Sequence, residues 1–304
     1  MPGKGNRLSR SAILSLSDAV ASPSGTTAPA RRIPNVVSIA GVDPSGGAGL
    51  FADLKTFSAL GAYGCGVVAA LTAQNTRAVT GVFLPPNDFI RQQIDTLFAD
   101  VAIAAAKIGM LGNASVVRAV ADGLAGRKLP FLVLDPVMVA KSGDKLLTDD
   151  AIAMLREALF PLATIITPNL PEAAVLLRQT TPESLKDMRR AAEKLREILP
   201  HTGQRWVLLK GGHLPGGELV DLLFDGDRMI ELESRRIDTN NTHGTGCTYS
   251  AAIAALLPQR PDVPVAVREA HAWLAKAIER SGDLSVASTP QGHGPVHHFH
   301  ALWS

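Results

Sequence analysis

From residue 33 onward, short uninterrupted apolar runs alternate with longer stretches in which apolar residues recur every three or four positions. The short runs, at 36–40, 66–71, 131–134, 164–167 and 206–210, predict strands covered on both faces. The longer stretches predict helices over 49–60, 88–98, 115–124, 149–160, 171–177, 185–199, 245–257 and 265–280. Thr148-Asp149-Asp150 is a plausible cap for one of these, and Pro182 suits the first turn of another. Residues 219–224 and 229–233 flank Asp225-Gly226-Asp227-Arg228 and predict an antiparallel hairpin near the sheet edge. Strands and helices in this order imply an α/β fold with a mostly parallel sheet and helices on both faces. No repeat or linker interrupts 33–304, which reads as one domain.

Composition narrows the class. The 304 residues are 46% hydrophobic, as in a globular protein with a sizeable core. No apolar run reaches the roughly 18 residues of a membrane helix. The two cysteines, Cys65 and Cys247, stand in no metal-ligand spacing and imply a reduced, cytoplasmic setting. The formal charge of +2 comes from the leader: residues 1–32 hold five Lys/Arg against Asp18 alone, leaving 25 basic and 27 acidic residues, net −2, for 33–304. The body therefore has no nucleic-acid footprint. The leader, rich in Ser, Ala, Gly and Pro, reads as a disordered tail, with a transit peptide as the alternative.

In an open parallel sheet, ligands collect at the carboxyl ends of the strands, and the chemically suggestive residues fall there. The run NTHGTGCTYSAAIAAL (241–256) sets a glycine turn directly before an alanine-rich helix. Helix-start N–H groups lack intrahelical partners and carry partial positive charge, so Gly244, Thr245 and Gly246 form a candidate anion site. Cys247 at its mouth would be a base with its thiolate stabilised by the helix; the alternative is a half-buried structural cysteine. GVDPSGGAG (41–49) follows the first strand, lacks the Walker A spacing, and is either a substrate loop or a tight turn. Asp53, on the following helix, either points back to that crevice or faces solvent. Gln74 in TAQNT offers a donor and an acceptor to a pyrimidine or pyridine edge, unless it simply ends a strand.

Asp135 ends a buried strand, and Glu172 follows another. As carboxylates at adjacent strand ends they would suit water-mediated Mg²⁺, although Glu172 also reads as a first-turn acid. Lys210 in LLKGGH could reach a transferring phosphate. His293, His297, His298 and His300 have the look of a metal cluster, but no Cys or acid completes it locally, and packing at the chain's end is the expected role. His243 is expected to orient the glycine turn.

GVDPSGGAG with Asp53, LTAQNT, KIGML, LDPVMVAKSGD, TPNLPEA, LLKGGH, NTHGTGCT and GPVHHFH together resemble the hydroxymethylpyrimidine/phosphomethylpyrimidine kinases of thiamine biosynthesis. The resemblance runs from about residue 34 onward. It implies a ribokinase-like three-layer sandwich, usually a homodimer, that uses Mg·ATP. The implied reaction phosphorylates 4-amino-5-hydroxymethyl-2-methylpyrimidine to its monophosphate and then to the diphosphate. By motif, Gly41, Asp53, Gln74 and Met110 would face the pyrimidine. Gly244, Thr245 and Gly246 would form the anion hole, with Cys247 as base. Lys210, Glu172 and Asp135 would serve ATP, the last two also Mg²⁺. Asn240 stands where such kinases often carry lysine, and the leader has no counterpart. A pyridoxal kinase and a non-catalytic pyrimidine-binding sensor are the alternatives that share this fold.

Overall fold

The apolar runs assemble into one nine-stranded sheet in the computed structural model, which describes residues 1, 32–138, 147–212, 214, 218–289 and 291–303. The expectations for residues 2–31 of the leader and for AKSGD (140–144) lie outside the described residues. In chain order the elements are β1 (Asn35–Val42), α1 (Gly49–Ala59), β2 (Tyr63–Gln74), β3 (Val79–Phe83), α2 (Asn87–Asp100), β4 (Ile103–Ile108), α3 (Ala114–Leu124) and β5 (Phe131–Leu134). They continue with α4 (Asp149–Met154), β6 (Ile165–Ile166), α5 (Leu170–Leu177), α6 (Leu185–Ile198), β7 (Trp206–Leu209), β8 (Glu218–Phe224), β9 (Met229–Arg235), α7 (Thr245–Leu256) and α8 (Val263–Glu279).

Across the sheet the order is β3-β2-β1-β4-β5-β6-β7-β8-β9. The pairings from β2 through β7 are parallel, while β3 pairs antiparallel with β2 at one edge and, at the other, β8 pairs antiparallel with both β7 and β9. The expected hairpin is β8–β9, with Phe224 opposite Met229.

Successive strand residues point to opposite faces, and both faces are covered. Val37, Leu132, Leu134 and Val207 enter one core with α2, α3, α5 and α6. Their neighbours Val36, Val133, Trp206 and Leu208 enter the other with α1, α7 and α8. Each fully buried Leu or Ile contributes about 2 kcal/mol by leaving water. Helix α6 shows its buried stripe at Met188, Ala191, Ala192 and Leu195, one face of a 3.6-residue period. Helix α7 is different: every residue from Thr248 to Leu256 is buried, so it is a central rather than a surface helix.

Three details depart from the periodicity. β3 and β4 were not foreseen, because VTGVF is short and exposed and IAAAKI is alanine-rich with a lysine inside. The helix expected over 149–160 ends at Met154 and continues as a π-turn, Leu155–Leu159, and a 3-10 turn, Phe160–Leu162. Pro182 lies before α6 rather than in its first turn, since Ser184 is the cap and accepts from Asp187 N–H.

Candidate active site

A cleft of about 770 Å³ opens at the carboxyl ends of the central strands. β1 delivers Gly41 and Asp43, β2 delivers Thr72 and Gln74, and Met110 follows β4. Asp135 follows β5, Asn169 and Glu172 come after β6, and Lys210 ends β7. Gly244, Thr245, Gly246 and Cys247 enter from the start of α7. The structure thus brings together every site residue expected from sequence except Asp53, which does not line the cleft.

The turn before α7 depends on glycine. Gly244 has φ of +74°, and a Cβ there would lie 1.8 Å from the carbonyl oxygen of Gly47. It therefore provides a left-handed backbone and a close approach between the anion turn and the glycine-rich loop after β1. Helix α7 begins without a side-chain cap; Thr245 N–H donates back to Thr242 O at 3.3 Å, and Gly246 and Cys247, next along the helix start, line the cleft. A Cβ on Gly246 would sit 3.2 Å from Lys210 Nζ, so the bare backbone leaves room between turn and lysine.

Cys247 corrects one expectation. Its thiol is pushed up, not down: burial outweighs the nearby Lys107 ammonium and the hydrogen bond from Gly49 N–H. Cys247 is half-buried at the cleft, and its resting form is the thiol.

Opposite the turn stands a compact charge network. Asp135 Oδ1 accepts from Thr167 Oγ1 at 2.9 Å and from Lys210 Nζ at 3.0 Å, and Oδ2 accepts from Ser250 Oγ at 3.3 Å. Burial works against the Asp135 charge, but Lys210 and Lys107 outweigh it and hold the carboxyl below its usual range. Glu172 is the third residue of α5 and closes a capping box: Asn169 N–H donates to Glu172 Oε2 at 2.8 Å while Asn169 Oδ1 accepts from Glu172 N–H. Burial pushes its carboxyl up to about 7, Lys210 pulling against the shift and Asp135 adding to it. Glu172 is thus both the first-turn acid and a wall of the cleft.

Asp53 does not face the crevice. It is fully buried on α1, accepting from Lys107 Nζ at 2.9 and 3.0 Å and from Ser38 Oγ at 2.5 Å. Burial opposes the Lys107 charge, yet Asp53, Cys247 and Asp135 together raise its pKa. Lys107 is a residue that sequence reading missed; a lone lysine within the apolar run IAAAKI was the available signal, since a buried charge requires a partner.

Asp43 was missed as well. It accepts from Ser45 N–H at 2.8 Å, Ser45 Oγ at 2.9 Å and Ala48 N–H at 3.0 Å, and His243 Nε2 lies 2.7 Å away. Burial would raise its pKa, but the bonds from His243 and Ser45 lower it overall. His243 does orient the turn, through this bond to the glycine-rich loop. The Asp-x-Ser spacing within DPS was the sequence hint of a loop closed on its own aspartate.

The terminal segment is tied into the fold through its backbone, and two of its rings pack against tryptophans, His300 on Trp273 and His297 on Trp303. His243 N–H donates to Gly294 O at 3.0 Å, His293 N–H to Thr76 O at 2.9 Å, and His297 N–H to Ala277 O at 2.8 Å. His298 Nε2 meets Thr248 Oγ1 at 3.1 Å, and its pKa is driven down by burial to about 3, so the ring stays neutral. Asn240 is exposed, its carbonyl accepting from Thr242 N–H.

Comparison with known proteins gives the family and the fold. The family model for phosphomethylpyrimidine kinase matches residues 43–297. The hydroxymethylpyrimidine/phosphomethylpyrimidine kinase of Escherichia coli K12 is 50% identical over 273 residues, covering 90% of this chain and all of that protein. Among solved structures, the phosphomethylpyrimidine kinase of Clostridium difficile 630 is 38% identical with a TM-score of 0.70, covering 81% of this chain and 100% of that one. A Bacillus subtilis pyridoxal kinase solved as an ADP complex is 34% identical with a TM-score of 0.78, covering 89% and 99%. The chain belongs to the phosphomethylpyrimidine kinase family, with the ribokinase-like fold.

Proposed function

We propose that this chain uses ATP to phosphorylate 4-amino-5-hydroxymethyl-2-methylpyrimidine and then phosphorylates the monophosphate, giving the diphosphate used to build thiamine diphosphate. The observation that carries this reading is the convergence, around one cleft, of a helix-start glycine turn with Cys247, the Lys210–Asp135 pair, and Gln74. Phosphoryl transfer is catalysed mainly by positioning and charge stabilisation. The N–H groups of Gly246 and Cys247 would receive the developing phosphate charge, Thr245 N–H being held by Thr242 O, and Lys210 would neutralise the nucleotide side. Cys247, having first lost its own proton to solvent, would as a thiolate take the hydroxyl proton as the new bond forms. Gly41, Gln74 and Met110 would hold the ring; Gly41 N–H donates to Met110 O at 3.0 Å and fixes that wall. Asp53 enters this scheme only as the partner of Lys107.

Asp135 and Glu172 are the residues that would hold Mg²⁺, through water. Both carboxylates already accept protein hydrogen bonds, and no cluster of three or more metal-ligating side chains exists among the described residues. That fits an ion that keeps most of its waters and is shared with nucleotide phosphates. When bound there it would offset charge on the transferring phosphoryl group.

The proposal also includes a homodimer and a cytoplasmic setting. The β2–β3 edge carries exposed Leu71 and Phe83, paired across the two strands and so on one face, an apolar patch suited to a second copy. No helix among the described residues is long and apolar enough to cross a membrane, and both cysteines are free. Incubating the protein with ATP and the hydroxymethylpyrimidine, and following both phosphorylated products by mass spectrometry, tests the main reading. Absence of both from folded protein rejects it. The likeness to pyridoxal kinases favours phosphorylation of pyridoxal as a second reading, decided by comparing turnover on the two substrates.

A further inference from the structure

Two cleft-lining side chains of β2, Thr72 and Gln74, stand two residues apart and so project from the same face of the strand. Thr72 Oγ1 lies 2.9 Å from the carbonyl oxygen of Val42 and 3.2 Å from Gln74 Oε1. A hydroxyl has one hydrogen to give, and a carbonyl oxygen can only accept. With both neighbours presenting oxygen, one contact is served and the other sets lone pairs against lone pairs. The Val42 carbonyl belongs to β1 and cannot turn away. The Gln74 amide can, since a half-turn of its terminal group exchanges oxygen for NH₂ with almost no change of shape. One arrangement satisfies all three groups: Thr72 donates to Val42 O and accepts from Gln74 Nε2. The second hydrogen of Nε2, together with Oε1, then forms a donor–acceptor pair on the remaining edge of the amide.

We propose that Thr72 is a specificity-determining positioning residue, which by committing its only proton to Val42 fixes which way round the Gln74 amide faces the substrate. The inference rests on the pyrimidine reading given above. On a 4-aminopyrimidine the ring nitrogen accepts and the adjacent amino group donates. On the 4-oxo analogue the ring N–H donates and the adjacent oxygen accepts, so the pattern is reversed. An amide held in one orientation pairs with the amino form and meets the oxo form donor to donor and acceptor to acceptor. An amide free to turn serves both.

The test measures kcat and KM for 4-amino-5-hydroxymethyl-2-methylpyrimidine and its 4-oxo analogue with the wild type, Thr72→Ser and Thr72→Val. The serine keeps the hydroxyl and is expected to keep the wild-type preference for the amino form. The valine keeps the shape without the hydroxyl and is expected to lose that preference by about tenfold, through KM rather than kcat. An unchanged preference in Thr72→Val, or equal losses in both variants, overturns the proposal while leaving the kinase reading intact. A wild type that is folded but inactive on the amino compound rejects that reading, and this inference with it. Neutron diffraction from wild-type crystals decides the orientation without any variant: Nε2 toward Thr72 is expected, and Oε1 toward Thr72 overturns it.

Discussion

At Cys247, burial and charge act in opposite directions on one proton. Burial raises the thiol above its ordinary range while Lys107 pulls it down. A base of this kind gains strength as pH rises. We therefore expect the rate of the first phosphorylation, in which an alcohol must lose a proton, to climb through the alkaline range. The second should level off earlier, because a phosphate monoester has its second pKa near 6 and is already ionised. Cys247→Ala should slow the first step far more than the second and flatten its alkaline limb; equal losses in both steps, measured on each substrate, would reject the assignment. Gly244→Ala places a Cβ in a left-handed position against Gly47 O and should cost more than about 2 kcal/mol, read from denaturant melts. The place of this turn at the cleft was legible because helix-start N–H groups lack intrahelical partners and glycine lets the backbone come close, although the sequence left a structural cysteine open as the alternative. The direction of the thiol's shift was not legible, since it depends on which distant residues pack over the turn.

At the level of elements, the strand ends placed Asp135, Gln74 and Lys210 correctly because apolar runs mark where buried strands stop. β4 was hidden by its own composition: four of its six residues are not the branched or aromatic types that announce a strand. Its Lys107 then supplied the partner that turned Asp53 inward, so the two omissions are one. Lys107→Met should strand a buried carboxylate and cost about 3–5 kcal/mol, a fall in Tm on the order of 10 °C. Adding Asp53→Leu should recover much of it; no recovery would mean the pair is not isolated. Glu172 gives a pH test at the start of α5. Its folded pKa of about 7 lies above the ordinary carboxylate value, so its contribution is fully present below the unfolded pKa of 4.5 and is lost as pH rises toward 7. Glu172→Gln, which mimics the protonated form, should therefore gain in Tm over the wild type as pH is raised from 5 to 8, even as it impairs turnover. A difference in Tm that does not change with pH would show that the carboxyl titrates normally.

On the scale of the whole molecule, the parallel order of the sheet was legible from the alternation of elements, whereas the antiparallel β3 at its edge was not. VTGVF has little burial to pattern it, and this exposed edge is the surface proposed above for a second copy. Phe83→Glu should convert a dimer to monomers in sedimentation velocity while leaving the fold intact; an unchanged sedimentation coefficient would move the interface elsewhere. The histidine-rich segment after α8 binds parts of the molecule far apart in sequence: the end of β2 through Thr76, the anion turn through His243, and α7 through Thr248. Among the described residues, that segment follows the strands and helices named above. During synthesis the sheet and its covering helices can therefore gather before the glycine turn has its last supports. The props of the glycine turn therefore come from a stretch made after the elements they brace, and a chain cut before Gly294 is expected to keep its sheet while leaving that turn without the bond from His243 N–H to Gly294 O.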